Sequence, residues 1–368
     1  MATIILGDIV EVIKETVHNP QESGFQYFVG LEHYDSGEPL ITRYATPDNL
    51  TSSVKHFAKG DILVARRNVY LKRASLVDFE GVTSGDSIVL RAKDKKYQQI
   101  LPFILNSDDF WDYAEQNSDG TMSKRLSPAD LLDYEFEEPE NIELLADKLW
   151  AAYRVKESYK KLLAATDDML KAKFQEMFGE GKWEQKTLGE VGNFQRGGGF
   201  QKNDYVEQGI PCIHYGQIHT KFGPYVNAHL TEIKFELAKK TKYAVKGDLI
   251  VAITSEDEEG SCKSTAWLGN YPVAVGGHAA IFHHSMDPLF MTFYFKSSAF
   301  NYEKVKYTRG SKVVEIKPDD VAKIHVPVPP IELQQQFAEI ATQAEATKES
   351  LRKSIENIDQ VIKSLINQ

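Results

Sequence analysis

The sequence predicts an α+β protein in which two similar globular domains alternate with two long α-helices, and three observations support this. First, Ile142-Glu143-Leu144 recurs as Ile331-Glu332-Leu333, and each triplet opens a long run without proline. Second, apolar residues in both runs recur at three- and four-residue spacing, which is typical of helices. Third, the segments before the two runs contain short β-type stretches bounded by glycine turns. Mixed β-sheets with short helices are therefore expected in both domains.

The two long runs each place one stripe of residues on a common helical face. Apolar positions about every 3.5 residues, sustained for about five heptads, keep one seam facing a partner helix. At ~1.5 Å per residue, each helix would be roughly 54 Å long. Two such helices in one chain are expected to pack on each other. The seam residues we select are Leu149, Tyr159, Leu162 and Met169 in the first helix and Phe337, Ile340, Leu351, Ile355, Ile358 and Ile362 in the second.

The duplication extends into the globular parts of the chain. The closest match is between Lys59–Ala65 and Lys246–Ala252, where Lys-Gly-Asp precedes an apolar run. Gly120 and Gly310 each precede a short polar loop, and the separation between matched segments drifts by only a few residues, as loop insertions would cause. We therefore predict a first domain at residues 1–140, a helix at 141–180, a second domain at 181–330 and a helix at 331–368.

Composition narrows the class of protein. The chain has 368 residues, ordinary hydrophobic and charged contents of 42% and 26%, and a formal net charge of −10. Two cysteines are too few for a disulfide framework, which favours a reducing cytoplasm. Met1–Leu6 is read as a strand rather than a signal peptide, and no stretch is apolar for the ~18–20 residues of a membrane span. An acidic chain that binds nucleic acid would need local basic patches or a basic partner.

No catalytic motif is present in the sequence. It has no phosphate-binding P-loop, no dinucleotide-binding glycine motif, no His-Glu-x-x-His pair, no nucleophile elbow and no Cys-x-x-Cys. The histidines at 278, 283 and 284 have no carboxylates or thiols at ligand spacing, so no metal site is expected. The absence of all these motifs favours a binding protein over an enzyme.

Polar loops in the first domain suggest contacts with nucleic acid. Arginine and asparagine suit bidentate contacts with guanine and adenine, and basic loops with hydroxyl groups suit phosphates. Residues 254–259, which match the first of these loops in the other domain, are acidic. Opposite chemistry at one structural place fits two different target sequences, and it equally fits unconstrained loop drift. The candidates are Arg66, Arg67, Asn68, Tyr70, Thr121, Lys124 and Arg125.

The second domain contains three further candidate loops: a glycine-rich loop, a polar loop and a basic loop near Arg309. Three glycines after Arg196 allow a close approach of the main chain to phosphate and positive φ, although a surface turn explains them as well. Residues 214–221 present groups of the kind that read base edges, and a polar hairpin is the alternative. The candidates are Arg196, Gly197, Gly198, Gln201, Lys202, His214, Tyr215, Gln217, His219, Lys221, Arg309, Ser311 and Lys312.

Taken together, these segments resemble the specificity subunits of Type I restriction–modification systems over essentially the whole chain. The segments that carry the resemblance are Leu188–Gly197, Gly209–Ile218, Lys246–Ile250 and Val326–Gln336. The chain departs from the pattern at residues 136–140 and 145–147, where the proline-rich hinge and the glutamines are missing.

The resemblance implies a fold and a set of partners. It implies two target-recognition domains, each reading one half of a split double-stranded DNA site, held apart by helices that pair antiparallel and act as a ruler. It implies that methylation and cleavage belong to separate modification and restriction subunits, which would carry S-adenosylmethionine, ATP and Mg, and that this chain is not an enzyme and binds no cofactor or metal. A spacer of ~54 Å is about one and a half turns of B-DNA at ~34 Å per turn.

Two alternatives remain open at this stage. One is a related methylation-only or fused restriction system that uses the same kind of subunit, which neighbouring genes would distinguish. The other is a coiled-coil scaffold whose globular ends bind proteins, which a DNA footprint would distinguish.

Overall fold

The computed structural model describes residues 2–121, 123–179, 181, 183–310 and 313–367. It has the predicted α+β composition with two long helices, and it divides into two compact units. The first unit is Met1–Lys160 with Arg352–Gln368, and the second is Lys161–Leu351. Each unit therefore contains a globular part and a segment of both long helices.

Among its described residues, the globular part of the first unit contains short strands and four α-helices. The strands are β1 (Thr3–Ile5), β2 (Val10–Ile13), β3 (Thr16–Val17), β4 (Phe28–Val29), β5 (Val54–Phe57), β6 (Ile62–Ala65), β7 (Ala74–Leu76), β8 (Gly81–Thr83), β9 (Ser87–Ala92), β10 (Ser118–Asp119), β11 (Arg125–Leu126) and β12 (Glu135–Glu137). The helices are α1 (Leu6–Ile9), α2 (Lys95–Ile104), α3 (Asp108–Gln116) and α4 (Pro128–Leu132).

The first long helix, α5, spans Ile142–Phe178, and the globular part of the second unit follows it. Its strands are β13 (Gln185–Thr187), β14 (Gly192–Arg196), β15 (Tyr205–Val206), β16 (Ile210–Ile213), β17 (Tyr225–Val226), β18 (Thr231–Ile233), β19 (Lys242–Ala244), β20 (Leu249–Ala252), β21 (Thr254–Ser255), β22 (Ser264–Trp267), β23 (Val273–Val275), β24 (Ala279–His284), β25 (Val314–Glu315) and β26 (His325–Pro327). Its helices are α6 (Leu188–Val191), α7 (Tyr215–Thr220), α8 (Pro288–Tyr294), α9 (Ser298–Lys304) and α10 (Pro318–Val321), after which the second long helix, α11, spans Ile331–Ile366.

The two globular parts have matching sheets. In the first unit, one sheet has the order β2-β9-β6-β7 and the other β3-β5-β8-β4. In the second unit, the corresponding orders are β14-β24-β20-β22-β17 and β15-β18-β16-β23-β19. A small antiparallel pair joins the start and end of each part, β1 with β12 and β13 with β26. The repeat seen in the sequence therefore corresponds to a repeated arrangement of strands.

The Lys-Gly-Asp segments match so closely because both make the same turn. Gly60 and Gly247 have φ of 94° and 99°, a region that glycine enters without the steric penalty of a Cβ. The aspartate that follows turns its side chain back onto the loop. Asp61 accepts a hydrogen bond from the Ala58 amide at 2.8 Å, and Asp248 accepts one from the Val245 amide at 2.6 Å. The turn therefore fixes the start of β6 and of β20.

Both aspartates are buried, and each is paired with a side chain of the neighbouring strand. Asp61 receives two hydrogen bonds from the guanidinium of Arg91, at 2.7 and 2.8 Å. Asp248 lies 2.7 Å from Nδ1 of His283. Because Arg91 and His283 occupy the same register position of β9 and β24, the two units use one site with different partners.

The long helices run antiparallel in the first unit. Ile142, Leu149 and Tyr153 of α5 belong to a buried cluster against which Ile362 and Ile366 of α11 pack. The amine of Lys156 pairs with Asp359 at 2.7 Å. The carboxylate of Glu38, from the globular part, accepts from Lys156 and Lys160 at 3.0 and 2.8 Å, so a charged group ties the sheet region to the helices.

The same direction of pairing holds in the second unit. Phe337 of α11 packs against Phe174 and Phe178 of α5, with ring centroids 5.2 and 5.8 Å apart. The buried amine of Lys348 pairs with Asp167 at 2.6 Å. Among the described residues, no helix has a stretch long and apolar enough to cross a bilayer.

The seam predicted for α5 is partly wrong. Leu149 is buried and Tyr159 is half-buried, but Leu162 and Met169 are 48% and 45% exposed. Leu170, next to Met169, is 1% exposed instead. The middle of the seam carries charged side chains such as Lys156, Lys160 and Asp167, so the apolar pattern there does not mark the buried face. The predicted seam of α11 is buried or half-buried throughout: Phe337, Ile340, Leu351, Ile355, Ile358 and Ile362.

This difference predicts unequal effects of two neighbouring substitutions. Leu170→Ala should lower the free energy of unfolding by about 2–5 kcal/mol, because it leaves a cavity in a packed core. Met169→Ala, the matched control, should change it by less than about 1 kcal/mol, since an exposed side chain loses few contacts. Urea unfolding of the full chain, followed by circular dichroism, measures both. Equal losses would place the seam where the sequence pattern put it.

Candidate nucleic-acid interface

Two loops that are distant in the sequence meet at one edge of the first unit. Arg67 and Arg125 form an antiparallel β-bridge, and the Asn68 amide donates to the Lys124 carbonyl at 2.9 Å. Asn68 adopts a left-handed conformation with φ of 56°, which asparagine tolerates better than most residues. Its side-chain oxygen accepts from the hydroxyl of Ser123 at 2.8 Å. The loop after β6 and the loop before β11 therefore form a single surface.

This surface carries more positive than negative charge. Asp86 lies 3.8 Å from an Arg67 nitrogen and 3.7 Å from an Arg125 nitrogen, so one carboxylate faces two guanidinium groups. Burial and the nearby Arg66 hold the pKa of Lys55 below its usual range, and Nε of Arg66 is buried with no hydrogen-bond partner among the described residues. Unneutralised cations at a loop surface attract phosphates. Tyr70 and Thr121 are exposed on the same two loops.

The corresponding surface of the second unit is organised around Glu315. Its strand β25 pairs with β21, which places Thr254 directly opposite Glu315. The guanidinium of Arg196 donates to the Gly277 carbonyl at 2.9 Å and to the Glu315 carboxylate at 3.3 Å. The Arg309 amide donates to the Glu315 carbonyl at 3.1 Å, and its side chain lies 3.6 Å from Asp320. Two of the predicted arginines are therefore brought to one place.

Histidine and tyrosine side chains from α7 complete this surface. The Tyr215 ring lies 5.1 Å from the ring of His278 and 5.9 Å from that of His219. His278 is 3.1 Å from the hydroxyl of Thr254, and His219 is 3.2 Å from the Thr254 carbonyl. Tyr215 is 37% exposed, so it presents an aromatic face next to the polar groups. Such a combination suits both hydrogen bonding and stacking with bases.

The glycine loop does not have the predicted role. The Gly197 and Gly198 amides donate to the carbonyls of Ala279 and Val275, at 2.9 and 2.8 Å, and are not free for a phosphate. Neither has a positive φ. A Cβ on Gly197 would lie 2.3 Å from the Gly276 carbonyl oxygen, and one on Gly198 would lie 2.7 Å from Cα of Thr241. These glycines are needed because two main chains approach each other closely.

Gln217 is a second correction. It is only 5% exposed, its oxygen accepts from the His214 amide at 3.1 Å, and its nitrogen donates to the Thr231 hydroxyl at 3.1 Å. It stabilises the start of α7, which takes the place of the hairpin considered as an alternative. Burial lowers the pKa of the half-buried His214. Gln201, Lys202 and Lys221 are exposed, as are Lys124 and Arg125 in the first unit, whereas Ser311 and Lys312 lie outside the described residues.

Sequence reasoning did not select several residues of these surfaces. Lys55, Asp86 and Glu315 were not selected, Thr254 was considered only as part of an acidic loop, and His278 only as a metal ligand. The internal repeat contained a signal for them. When the Lys-Gly-Asp strands and the later strands β9 and β24 are matched, Asp86 and His278 fall at the same position, immediately before a strand.

The structure offers little that suggests metal or thiol chemistry. No group of three or more His, Cys, Asp or Glu side chains that could hold a metal ion occurs in the part of the chain that the structure describes. Both cysteines are buried, and burial raises the pKa of Cys212 to about 11 and that of Cys262 to about 12. A thiol must lose its proton to act as a nucleophile or ligand, so neither group is activated.

The family comparison agrees with two loop surfaces suited to nucleic acid. Residues 180–360 match the family model of the Type I restriction modification DNA specificity domain. This region of the chain, slightly less than half of it, is a Type I restriction modification DNA specificity domain. The matched region of the specificity chain includes Arg196, α7, Glu315 and the first part of α11. DNA recognition is therefore its function.

Solved structures show the same fold over the whole specificity chain. One is a chain from a structure of complex assembly and conformational transition in the type I R-M system, with 17% identity and a TM-score of 0.55, covering 100% of this chain and 96% of that chain. Another is the Type-I restriction-modification S subunit from M. genitalium, with 14% identity and a TM-score of 0.55, covering 99% of this chain and 94% of that chain. No curated protein matches the sequence.

Exposed lysines of the two surfaces should govern the salt dependence of DNA binding. We expect the double substitution of Lys124→Gln and Lys221→Gln to reduce the slope of log affinity against log salt by about 1.8, because each lost phosphate contact releases about 0.9 fewer counterions. Fluorescence anisotropy over a salt series, in the presence of the modification subunits, measures the slope. Lys171→Gln, on the exposed side of α5, is the control. An unchanged slope in the double variant would remove these lysines from the interface.

Proposed function

We propose that this chain is the DNA-recognition subunit of a Type I restriction–modification complex and that each unit reads one half of a bipartite target. The observation that carries the proposal is the repeated loop surface. Each unit brings the segment after its Lys-Gly-Asp strand next to a short strand, β11 or β25. The first surface presents mainly cations, and the second presents a mixture of histidine, threonine, glutamate and arginine.

The two surfaces differ in their charged and polar side chains, which supports the proposal that the two units recognise different DNA half-sites. If both surfaces contacted only the uniform phosphate backbone, both would be expected to carry an excess of positive charge. The acidic Glu315 at the centre of the second surface is unfavourable near phosphate but is a good acceptor for the amino groups of bases. This favours base reading by the second unit over general electrostatic attraction.

The long helices serve as the spacer between the half-sites in this proposal. Their antiparallel pairing within each unit is fixed by ion pairs such as Lys156 with Asp359 and Lys348 with Asp167. In each pair the lysine side chain is only 12% or 8% exposed, whereas the carboxylate is about half-exposed. A shift in register would leave the largely buried lysine without its partner, so the pairs resist such a shift. A spacer of constant length is what reading two separated half-sites requires.

Partner subunits carry the chemistry in this proposal. The related structure of complex assembly concerns the type I R-M system, and assembly of this chain with modification and restriction subunits is the corresponding inference. Those subunits would bring S-adenosylmethionine, ATP and Mg, and the base would be taken out of the duplex in their active site. The chain described here selects the site and catalyses no step.

One face of α5 is suited to docking a modification subunit. Leu162 and Met169 lie one heptad apart and are about half-exposed, at 48% and 45%. Scattered apolar side chains are common on protein surfaces, so what supports this assignment is the need of the proposed complex for a docking face on the helices. In this proposal Leu162 and Met169, whose exposure contradicted the predicted seam, contact the modification subunit.

The proposed function is tested by exchanging one unit's globular part. The chain is expressed with its modification subunits, and the methylated motif is determined by sequencing genomic DNA. We expect a bipartite motif, and replacement of residues 182–326 by the equivalent segment of another specificity subunit should alter one half only. A motif in a single block, or a change in both halves, would overturn the division of labour between the units.

The docking surface is tested by the double substitution of Leu162→Ser and Met169→Ser. We expect the affinity for the modification subunit to fall at least about tenfold, because apolar area is no longer buried on association. The free energy of unfolding of the chain alone should change little, since both side chains are exposed. Analytical ultracentrifugation of the mixture measures association, with Lys171→Ser as the control. Unchanged association would exclude this face.

A further inference from the structure

Three positions of the loop surfaces are held by the same backbone frame in both units. In the first unit, the Arg66 amide donates to the Asp86 carbonyl at 3.0 Å, and the Leu126 amide donates to the Arg66 carbonyl at 2.9 Å. In the second unit, Ile253 donates to the His278 carbonyl at 3.0 Å, and Ile316 donates to the Ile253 carbonyl at 3.1 Å. The same two hydrogen bonds recur with the same direction.

The residues next to this frame are therefore equivalent in pairs. Arg67 follows Arg66 as Thr254 follows Ile253, and Arg125 precedes Leu126 as Glu315 precedes Ile316. Arg67 bridges Arg125, just as Thr254 pairs with Glu315. The residue immediately before β9 or β24 lies beside each of these pairs, and the three residues together are called a triad. The first triad is Arg67, Asp86 and Arg125, and the second is Thr254, His278 and Glu315.

The first triad holds two guanidinium groups in place and leaves their donors available. Both ion pairs with Asp86 are longer than hydrogen bonds, at 3.8 and 3.7 Å, and the Arg67 and Arg125 side chains are 46% and 50% exposed. Nε of Arg67 is 3.1 Å from the Ser123 hydroxyl, which restricts its orientation. A fixed, half-exposed guanidinium suits the two acceptors, O6 and N7, of guanine in the major groove.

The second triad has the opposite hydrogen-bonding character. The Glu315 carboxylate is 49% exposed and is held on one side by Arg196 at 3.3 Å. It is an acceptor without a proton to donate, so it suits an exocyclic amine, N4 of cytosine or N6 of adenine. His278 is fixed against Tyr215 and Thr254 and offers a ring nitrogen beside it.

We propose that the two triads are equivalent base-reading positions, the first selecting guanine through Arg125 and the second selecting an exocyclic base amine through Glu315. This inference rests on the proposed function and deepens it, because it names the base chemistry that each half-site presents. The same backbone frame carries hydrogen-bond donors, the arginine side chains, in the first unit and an acceptor, the Glu315 carboxylate, in the second. The two units would therefore select half-sites of different sequence.

The test uses single substitutions that change the hydrogen-bonding character of the side chain. Arg125→Gln replaces a fork of donors with an amide that suits adenine, and Glu315→Gln adds a donor to an acceptor. The variants are assembled with the modification subunits. Methylation rates are then measured on duplexes that carry each base at each position of the motif. Arg43→Gln is the matched control, since Arg43 is 50% exposed in the first unit and its ion pair is with Asp35, which is not a triad residue.

We expect Arg125→Gln to lower methylation of the original motif by about tenfold or more and to shift the preference from guanine to adenine at one position of the first half-site. Glu315→Gln should change the preference at one position of the second half-site only. The control should leave both halves unchanged. Thermal unfolding of each variant, expected to match the parent, confirms that the fold is retained.

The outcomes distinguish failure of the base-reading inference from failure of the proposed function. If the parent chain yields a bipartite motif and both variants keep its base preferences, the triads do not read bases and the inference is wrong, while the proposed function stands. If Arg125→Gln slows methylation equally on all sequences and flattens the salt dependence, Arg125 contacts phosphate, which also overturns the inference. If the parent chain yields no bipartite motif, the proposed function itself fails.

Discussion

The structure of each unit depends on the pairing of two central strands, β6 with β9 and β20 with β24. β6 and β20 are buried from end to end, so their main-chain groups must find partners within the sheet. A glycine with positive φ and a buried aspartate fix where each pairing begins. The loops that leave the other ends of these strands are then set in position. Residues 66–68 and 253–255 lie at the candidate interface because they directly follow β6 and β20, whose positions in the sheet are fixed.

The long helices solve a different problem, which is to pack on each other in one register. Apolar residues alone permit neighbouring registers at modest cost. The ion pairs of Lys156 with Asp359 and of Lys348 with Asp167 do not, because a displaced register would leave a largely buried lysine without its partner. The same charges also interrupt the apolar pattern, which is why the exposed Leu162 and Met169 looked like seam residues. The charges that fix the register of the two helices therefore also make the buried face of α5 harder to predict from its apolar residues.

Local periodicity and the repeat were enough to predict the two long helices, the central strands and the turns at Gly60 and Gly247. Much of the interface was not predictable in the same way. Arg67 and Arg125 were selected for their chemistry, but nothing in the sequence indicated that they share Asp86. Gly197 and Gly198 were interpreted as a phosphate loop because a close approach of two main chains leaves the same sequence signature. Gln217 looked like a base reader because a polar side chain is exposed in most loops, and only the fold shows that it is buried.

The frame that holds each triad uses main-chain atoms alone, and this bears on how such proteins diversify. The hydrogen bonds from Arg66 and from Ile253 persist whether the neighbouring side chain is arginine, threonine or glutamate. Substitutions at half-exposed positions beside such a frame cost little stability, so new variants remain folded while their ligand preference changes. A lineage can therefore vary the side chains beside the frame on an unchanged scaffold, and the two units of one molecule already carry different side chains on the same frame.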